Sequence, residues 1–332
     1  MGCTKHIVSK ALYSSFFCVV TLLGVSSLQP AQAQTFPNKQ VRMVVPFPPG
    51  GSSDRIARIL SERLSQQWGQ PVVSENINGA GGNLAAANVA RSRADGYSIL
   101  FATHPIIAIN PLLYGKLPYN PSEDFIPVVK LMQSPLVLLV QASSPIRSIP
   151  DLIKIAKDNP NSINFGSGGI GTTQHLTGEM LKQTAGINIT HIPYKGNGQT
   201  DTALIAGDIQ MFFDNVQSAK GQILGGRVRG VAISSNARLA SMPDLPTVKE
   251  TLPGFESTLA YGLLVPKGTP AAIVSQINQS VNKVLFDPAL SQGFTGEGAT
   301  IEGGSPEKFT EFLASENKKW GQILAQLKLK LD

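Results

Sequence analysis

Short apolar runs alternate with stretches of helical spacing along most of the chain. Val41–Val45 reads as a buried strand, and Ser53 to about Gln67 as a helix with Ile56, Ile59, Leu60 and Leu64 on one face. Pro71–Glu75 is a second strand. Gly79-Ala80-Gly81-Gly82 leads into an alanine-rich helix, Asn83 to about Ser92, and Asp95-Gly96-Tyr97 turns into a third strand, Ser98–Ala102. The unbroken apolar run Leu136–Val140 ends in the breaker-rich Ala142–Pro145, after which the alternation restarts. It supplies a capped helix from Ile149 to Lys157, strand Ile163–Phe165, a helix from Thr172 to about Thr184 and strand Ile189–Pro193. A helix near Thr200–Ala206 and strands Ile209–Phe213 and Arg229–Ser234 follow. Ser257–Val265 is a second long extended run, and Pro270–Phe286 and Pro306–Leu329 are amphipathic helices.

Repeated strand–helix–strand units of this length predict an α/β fold with mainly parallel sheets covered by helices on both faces. At 332 residues the chain exceeds a comfortable single core. The two extended runs Leu136–Val140 and Ser257–Val265 suggest a chain that leaves one domain, builds another and returns. The expected division is residues 34–135 plus 256–332 as one domain and 136–255 as the other, with a ligand cleft between them.

The first 33 residues have their own pattern. Lys5 and Lys10 precede the apolar stretch Ala11–Leu28, and Ala31-Gln32-Ala33 supplies an A-x-A cleavage signal before Gln34. A cleaved signal peptide and a periplasmic location are expected. Both cysteines, Cys3 and Cys18, fall in this leader, so the mature chain is expected to lack disulfides and thiolate chemistry. The formal charge of +6 drops to about +4 without the leader lysines, which is too small and scattered to imply a nucleic-acid partner.

Two glycine-rich turns carry the candidate chemistry. Pro46-Phe47-Pro48-Pro49-Gly50-Gly51-Ser52-Ser53-Asp54 and Gly166-Ser167-Gly168-Gly169-Ile170-Gly171-Thr172-Thr173 each join a strand to a helix. Such turns aim unpaired helix N–H groups and the positive end of the dipole at whatever sits above them, which suits a carboxylate or phosphate. Two of them, each opening its own α/β half, suggest jaws closing on one small anion. Pro49, Gly50 and Gly51 are candidate contacts on the first turn, with Gly166 and Gly168 on the second.

Other chemistries are poorly supported. Gly166-x-Gly168-x-x-Gly171 fits a dinucleotide pattern, but Pro193-Tyr194-Lys195 stands where the ribose-binding acid belongs, so no cofactor is expected. Neither Ser52 nor Ser167 sits in a G-x-S-x-G elbow. His104, His175 and His191 lack ligand spacing to one another or to a carboxylate, so no metal is expected. His104 follows a strand at the edge where loops converge, and can either line the pocket or support it. Asp54 can brace its helix through the dipole or face the cleft and discriminate among ligands. Tyr194 and Asp214-Asn215 follow strands at their carboxyl ends, where open α/β sheets bind ligands.

Taken together, these strings resemble one family. The first turn, Glu75-Asn76 with Gly79–Gly82, Asp95-Gly96-Tyr97, Gly166-Ser167-Gly168 with His175-Leu176, Pro193-Tyr194-Lys195-Gly196, Phe213-Asp214-Asn215 and Leu245-Pro246-Thr247 are similar to the Bug receptors. These are the extracytoplasmic solute-binding proteins of tripartite tricarboxylate transporters. The resemblance implies a two-domain periplasmic binding fold that closes on a small organic carboxylate, with the two turns as pincers. It further implies Ser52, Ser53, Ser167, Thr172 and Thr173 as ligand contacts and Thr103-His104 as a wall of the distal pocket. The implied partners are the large and small membrane subunits of the transporter, with the receptor itself a monomer. An exported hydrolase or isomerase using the same cleft, or a sensor presenting its ligand-bound shape, are the alternatives.

Overall fold

The computed structural model describes residues 36–296 and 298–327. The leader, with Cys3, Cys18 and the cleavage signal, lies outside the described residues, as do residues 328–332. Lys39–Asp332 forms one compact unit.

Apolar runs without alternation become strands buried on both faces, as the rows of Val and Ile in them require. The strands are β1 (Val41–Val45), β2 (Val72–Asn76), β3 (Ser98–Thr103), β4 (Phe125–Gln141), β5 (Asn164–Ser167), β6 (Thr190–Pro193), β7 (Met211–Asn215), β8 (Val228–Ile233), β9 (Thr258–Pro266) and β10 (Thr300–Ile301). They join in the order β2-β1-β3-β9-β4-β7-β5-β6, with β8 and β10 also paired to β4. The outer strands pair in parallel, β2-β1-β3 at one end and β7-β5-β6 at the other. Between them β9 runs antiparallel to both β3 and β4, and β4 runs antiparallel to β7 and β8.

The long strand β4 belongs to both arms of this sheet. From Phe125 to Pro135 it pairs with β9, and from Leu136 onward with β7 and β8. Pro135 stands at the handover, where its missing N–H costs the ladder least. The sequence pattern predicts only Leu136–Val140 here. The first part of β4 carries Pro127, Lys130, Gln133 and Pro135 and two register irregularities, so it lacks an apolar run of its own.

Three chain segments are tied together at the handover by hydroxyls. Leu136 N–H donates to Ser234 Oγ at 2.8 Å, and Ser234 Oγ donates to the Ser257 carbonyl. Ser234 N–H and Ser257 N–H bond the Leu136 and Ser234 carbonyls, each at 2.9 Å. Ser257 Oγ meets Thr177 Oγ1 of the helix Thr173–Ala185 at 2.6 Å. All four side chains are buried.

Helices cover both faces. Ser52–Trp68 buries Ile56, Ala57, Leu60 and Leu64 at helical spacing. The long C-terminal helix Pro306–Leu327 packs Phe309, Leu313, Trp320 and Leu324 beneath β3 and β4. A second cluster around Val137, Leu139, Phe212, Val216 and Leu204 fills the other arm. Two helices that the apolar pattern does not announce, Val216–Leu224 and Pro288–Gly296, complete the cover.

Ser234→Ala is expected to leave the Leu136 N–H and the Ser257 carbonyl without their hydroxyl partner in a buried place. Urea denaturation should show a loss of about 1–3 kcal/mol. An unchanged midpoint and slope would show that the hydroxyl tie does not hold the handover.

Candidate functional site

Both glycine-rich turns open onto one cavity of about 340 Å³. The first turn follows β1, and its helix begins at Ser52 behind Gly51, which provides no side-chain cap. The second follows β5, and its helix begins at Thr173 behind Thr172, whose hydroxyl accepts from His175 N–H at 3.4 Å. The N–H groups of Thr173 and Gln174 therefore lack an intrahelical acceptor, as do those of Ser52 and Ser53. Helix dipoles from two directions place partial positive charge at the cavity.

Of the sequence-predicted residues, Pro49, Gly50, Gly51, Ser52 and Ser53 line the cavity from the first turn, and Thr172 and Thr173 from the second. Thr103 and Asn215 also line it. Two buried polar atoms in this wall, Thr173 Oγ1 and Asn215 Oδ1, have no protein partner. Asn215 Nδ2 donates to Ser52 Oγ, which also lies 3.2 Å from the Tyr261 hydroxyl, so the first turn is held from β7 and β9.

The remaining candidates lie outside the lining. Gly168 and Tyr194 face an adjoining cavity of about 580 Å³ that shares Phe47 and Lys195 with the first. Gly166 sits behind the turn, where a Cβ would come within 2.4 Å of Ile209 Cδ1 and 2.5 Å of Thr200 Cγ2. The glycine thus lets the helix Asn197–Ala206 approach β5 closely. Asp214 is fully buried beneath the wall.

Asp54 points away from the cavity. Its carboxylate is bonded by Arg58 Nε at 2.9 and 3.0 Å, Gly50 N–H at 3.0 Å and Asn76 Nδ2 at 2.9 Å. Burial opposes its charge, but these donors outweigh it and hold the carboxyl below its ordinary value. The geometry is that of a brace for the first turn.

The histidines are internal. His104 accepts from Ala260 N–H at Nδ1, 3.2 Å, and presents Nε2 to Glu316 at 3.3 Å, while burial pushes it down to about 4. Ser167 Oγ and His191 Nε2 are 2.7 Å apart, a distance that suits a nucleophile and its base. Neither lines the cavity, and the His191 ring is stacked between Phe165 and His175, 4.9 and 4.0 Å between centroids. Burial pushes His191 down to about 3 and His175 to about 4. The pair supports the second turn from beneath, with Ser167 also bonded to Gly169.

Residues that the sequence reading does not single out complete the wall. Gln174, Asn197, Gln199 and Leu259 line the cavity. Asn197 follows the Tyr194-Lys195-Gly196 string at the end of β6, so its place at a strand's carboxyl end was a usable signal. Leu259 and Tyr261 come from β9, whose apolar run hides which side chains face the cavity. Lys195 is the only charged side chain in the lining among the described residues.

Known proteins share this architecture. The profile of the "Tripartite tricarboxylate transporter family receptor" family matches residues 56–329. Protein BugT of Bordetella pertussis is 33% identical over 304 residues, 91% of this chain and 93% of that one. Among solved structures, R. palustris Rpa4515 with adipate is 34% identical with a TM-score of 0.86, covering 89% of this chain and 99% of that one. MatC from Rhodopseudomonas palustris with bound malate is 29% identical with a TM-score of 0.83, covering 87% and 100%. Among the described residues, no helix is long and apolar enough to cross a membrane.

Asp54→Asn should weaken the brace by about 1–2 kcal/mol at neutral pH, the scale of hydrogen bonds to a charged group. A carboxyl held below its ordinary value stabilises the fold above about pH 4 and ceases to do so as pH falls through its folded value. The stability gap between parent and variant, followed by thermal melts, should therefore close in acid. A gap that stays constant with pH would refute the brace.

Proposed function

Since the chain belongs to the tripartite tricarboxylate transporter receptor family, we propose that it captures a small organic carboxylate between the two turns and delivers it to a membrane transporter. The observation that carries this reading is a cavity walled by helix N-termini from both arms of the sheet, with the unpartnered hydroxyl of Thr173 inside it. Amides and hydroxyls without a facing carboxylate suit an anion held by dipoles, with Lys195 alone able to add a full charge. The adipate and malate held by the two R. palustris relatives support the ligand class.

We read the two arms as the domains 34–135 plus 256–332 and 136–255, closing about the handover in β4 and the return at Ser257. Ser53, Thr172, Thr173 and Asn215 contact the ligand in this reading, and Thr103 shapes its far side. The leader directs export, and the mature protein begins at Gln34 in the periplasm, where the two membrane subunits meet it. Intact mass of the exported protein checks this start, and retention of Met1–Ala33 would overturn it.

Adipate and malate should raise the melting temperature of the purified mature protein, and scattering should show a radius of gyration no larger with ligand than without. Thr173→Val removes one donor while keeping shape, and calorimetry should show about tenfold weaker binding of the better ligand, about 1.4 kcal/mol. Parent-like affinity in a folded Thr173→Val protein would remove the Thr173 hydroxyl from the site.

A further inference from the structure

Behind the cavity wall lies a carboxyl group that has no counter-ion among the described residues. Asp214 is the penultimate residue of β7, with its side chain fully buried. Its Oδ1 accepts from Asn197 Nδ2 at 2.8 Å and from Asn215 N–H at 2.7 Å. Both asparagines line the cavity, so one carboxyl oxygen fixes the Asn197 side chain and the Asn215 main chain in the wall. The other oxygen, Oδ2, is buried and has no hydrogen bond of good geometry, although the Ser218 hydroxyl is close. A second acid, Asp201, acts on Asp214 from the helix Asn197–Ala206, and its own Oδ1 is also buried without a partner.

We propose that Asp214 is a neutral carboxylic acid at physiological pH, acting as a positioning residue for Asn197 and Asn215, and that its ionisation expels the bound anion. The proposal rests on the carboxylate-receptor reading above for the identity of that anion.

Three observations support it. A buried carboxylate needs paired charge or several donors for both oxygens, and Asp214 has donors for only one. Protonation removes the charge that the unpartnered Oδ2 would otherwise share, which lowers the cost of burying it. The surrounding charges also favour the neutral form. Asp201 is the charged neighbour that acts on it, and like charge disfavours ionisation. Arg227 draws on Asp201 instead. Helix Thr173–Ala185 brings His175, Glu179 and Lys182, with Lys182 paired to Glu179 at 3.3 Å. Helix Val216–Leu224 brings Lys220, which bonds the Gly296 carbonyl. From β9, Tyr261 is itself pushed up by burial, and Arg55 acts on that tyrosine. Lys195 lines the same cavity. Burial and Asp201 together push Asp214 well above the usual carboxylate range, and buried carboxyls can ionise as late as about pH 8–9.

The consequence for binding follows from position. Asp214 is bonded directly to Asn197 and Asn215, two residues that line the cavity. A negative charge there opposes an anion through a short, water-poor path, where the interaction is strong. Ionisation also changes what Asn197 and Asn215 are pinned to. The receptor should therefore hold its carboxylate at neutral pH and lose it as pH rises through the Asp214 ionisation.

Infrared difference spectra of the ligand-free protein test the first half. The protonated-carboxyl C=O band should be present at about pH 7, fade by about pH 10 and be missing from Asp214→Asn. In Asp201→Asn the fading should move to lower pH, since the like charge is gone. A band absent at neutral pH, or one that persists in Asp214→Asn, overturns the proposal. Calorimetry with adipate tests the second half. Parent affinity should fall about tenfold or more between about pH 7 and pH 9.5, and Asp214→Asn should lose this ratio whatever its own affinity. Equal ratios in parent and variant overturn the coupling. If adipate binds at neither pH, the receptor reading fails for that ligand, and the infrared titration still decides the state of Asp214.

Discussion

The handover in β4 at Pro135–Leu136 is the constraint from which the rest of this structure follows. A strand that changes neighbours in the middle leaves backbone groups facing no partner strand, and buried backbone groups must be satisfied. Ser234 resolves this by accepting from Leu136 N–H and donating to the Ser257 carbonyl, so one hydroxyl links outgoing strand, neighbouring strand and returning strand. The Ser257–Thr177 contact extends the tie to the helix that opens at the second turn. Side-chain hydroxyls can reorient with small changes in geometry more readily than a continuous ladder can. A junction built on them fits the closure proposed for the two arms, in which each keeps its own pairing.

The same economy is visible at the cavity. The first turn is braced from behind by Asp54, with Arg58, Asn76 and Gly50, and from the side by Asn215 and Tyr261. The second turn rests on Ser167, His191 and His175. In both cases the charged or ionisable groups lie under the turn, and what faces the cavity is main chain, hydroxyl and amide. Fixed dipoles need no reorganisation when a charge arrives, and they carry no long side chain whose entropy must be lost.

Much of the fold is legible in the sequence because its strands are continuous apolar runs and its turns are marked by glycine and proline. Val41–Val45 and the helix over Ile56, Leu60 and Leu64 follow from pattern alone. The first part of β4 does not, because prolines and polar residues interrupt it where neighbouring strands, not its own sequence, supply the burial. The two turns could be read as partners from their chemistry. The roles of single residues on them could not: Ser52 and Ser167 look alike in sequence, yet the first lines the cavity and the second is bonded to His191 beneath it. Which side of a turn a side chain takes depends on packing with elements distant in the chain. Gln174 is illegible for the same reason, since amides at helix starts are common and only the closing of the wall gives this one a purpose.

Main-chain donors have one more consequence, for how such a protein can change over generations. A point substitution can remove a hydroxyl or a guanidinium, but apart from proline it cannot remove a backbone N–H. In the proposed reading, the part of the wall that meets the ligand's carboxylate is therefore shielded from most single mutations. The side chains of Gln174, Asn197, Gln199 and Leu259 have no such protection. Lineages of this fold can accordingly drift in which molecule they prefer while keeping the ability to hold an acid at all.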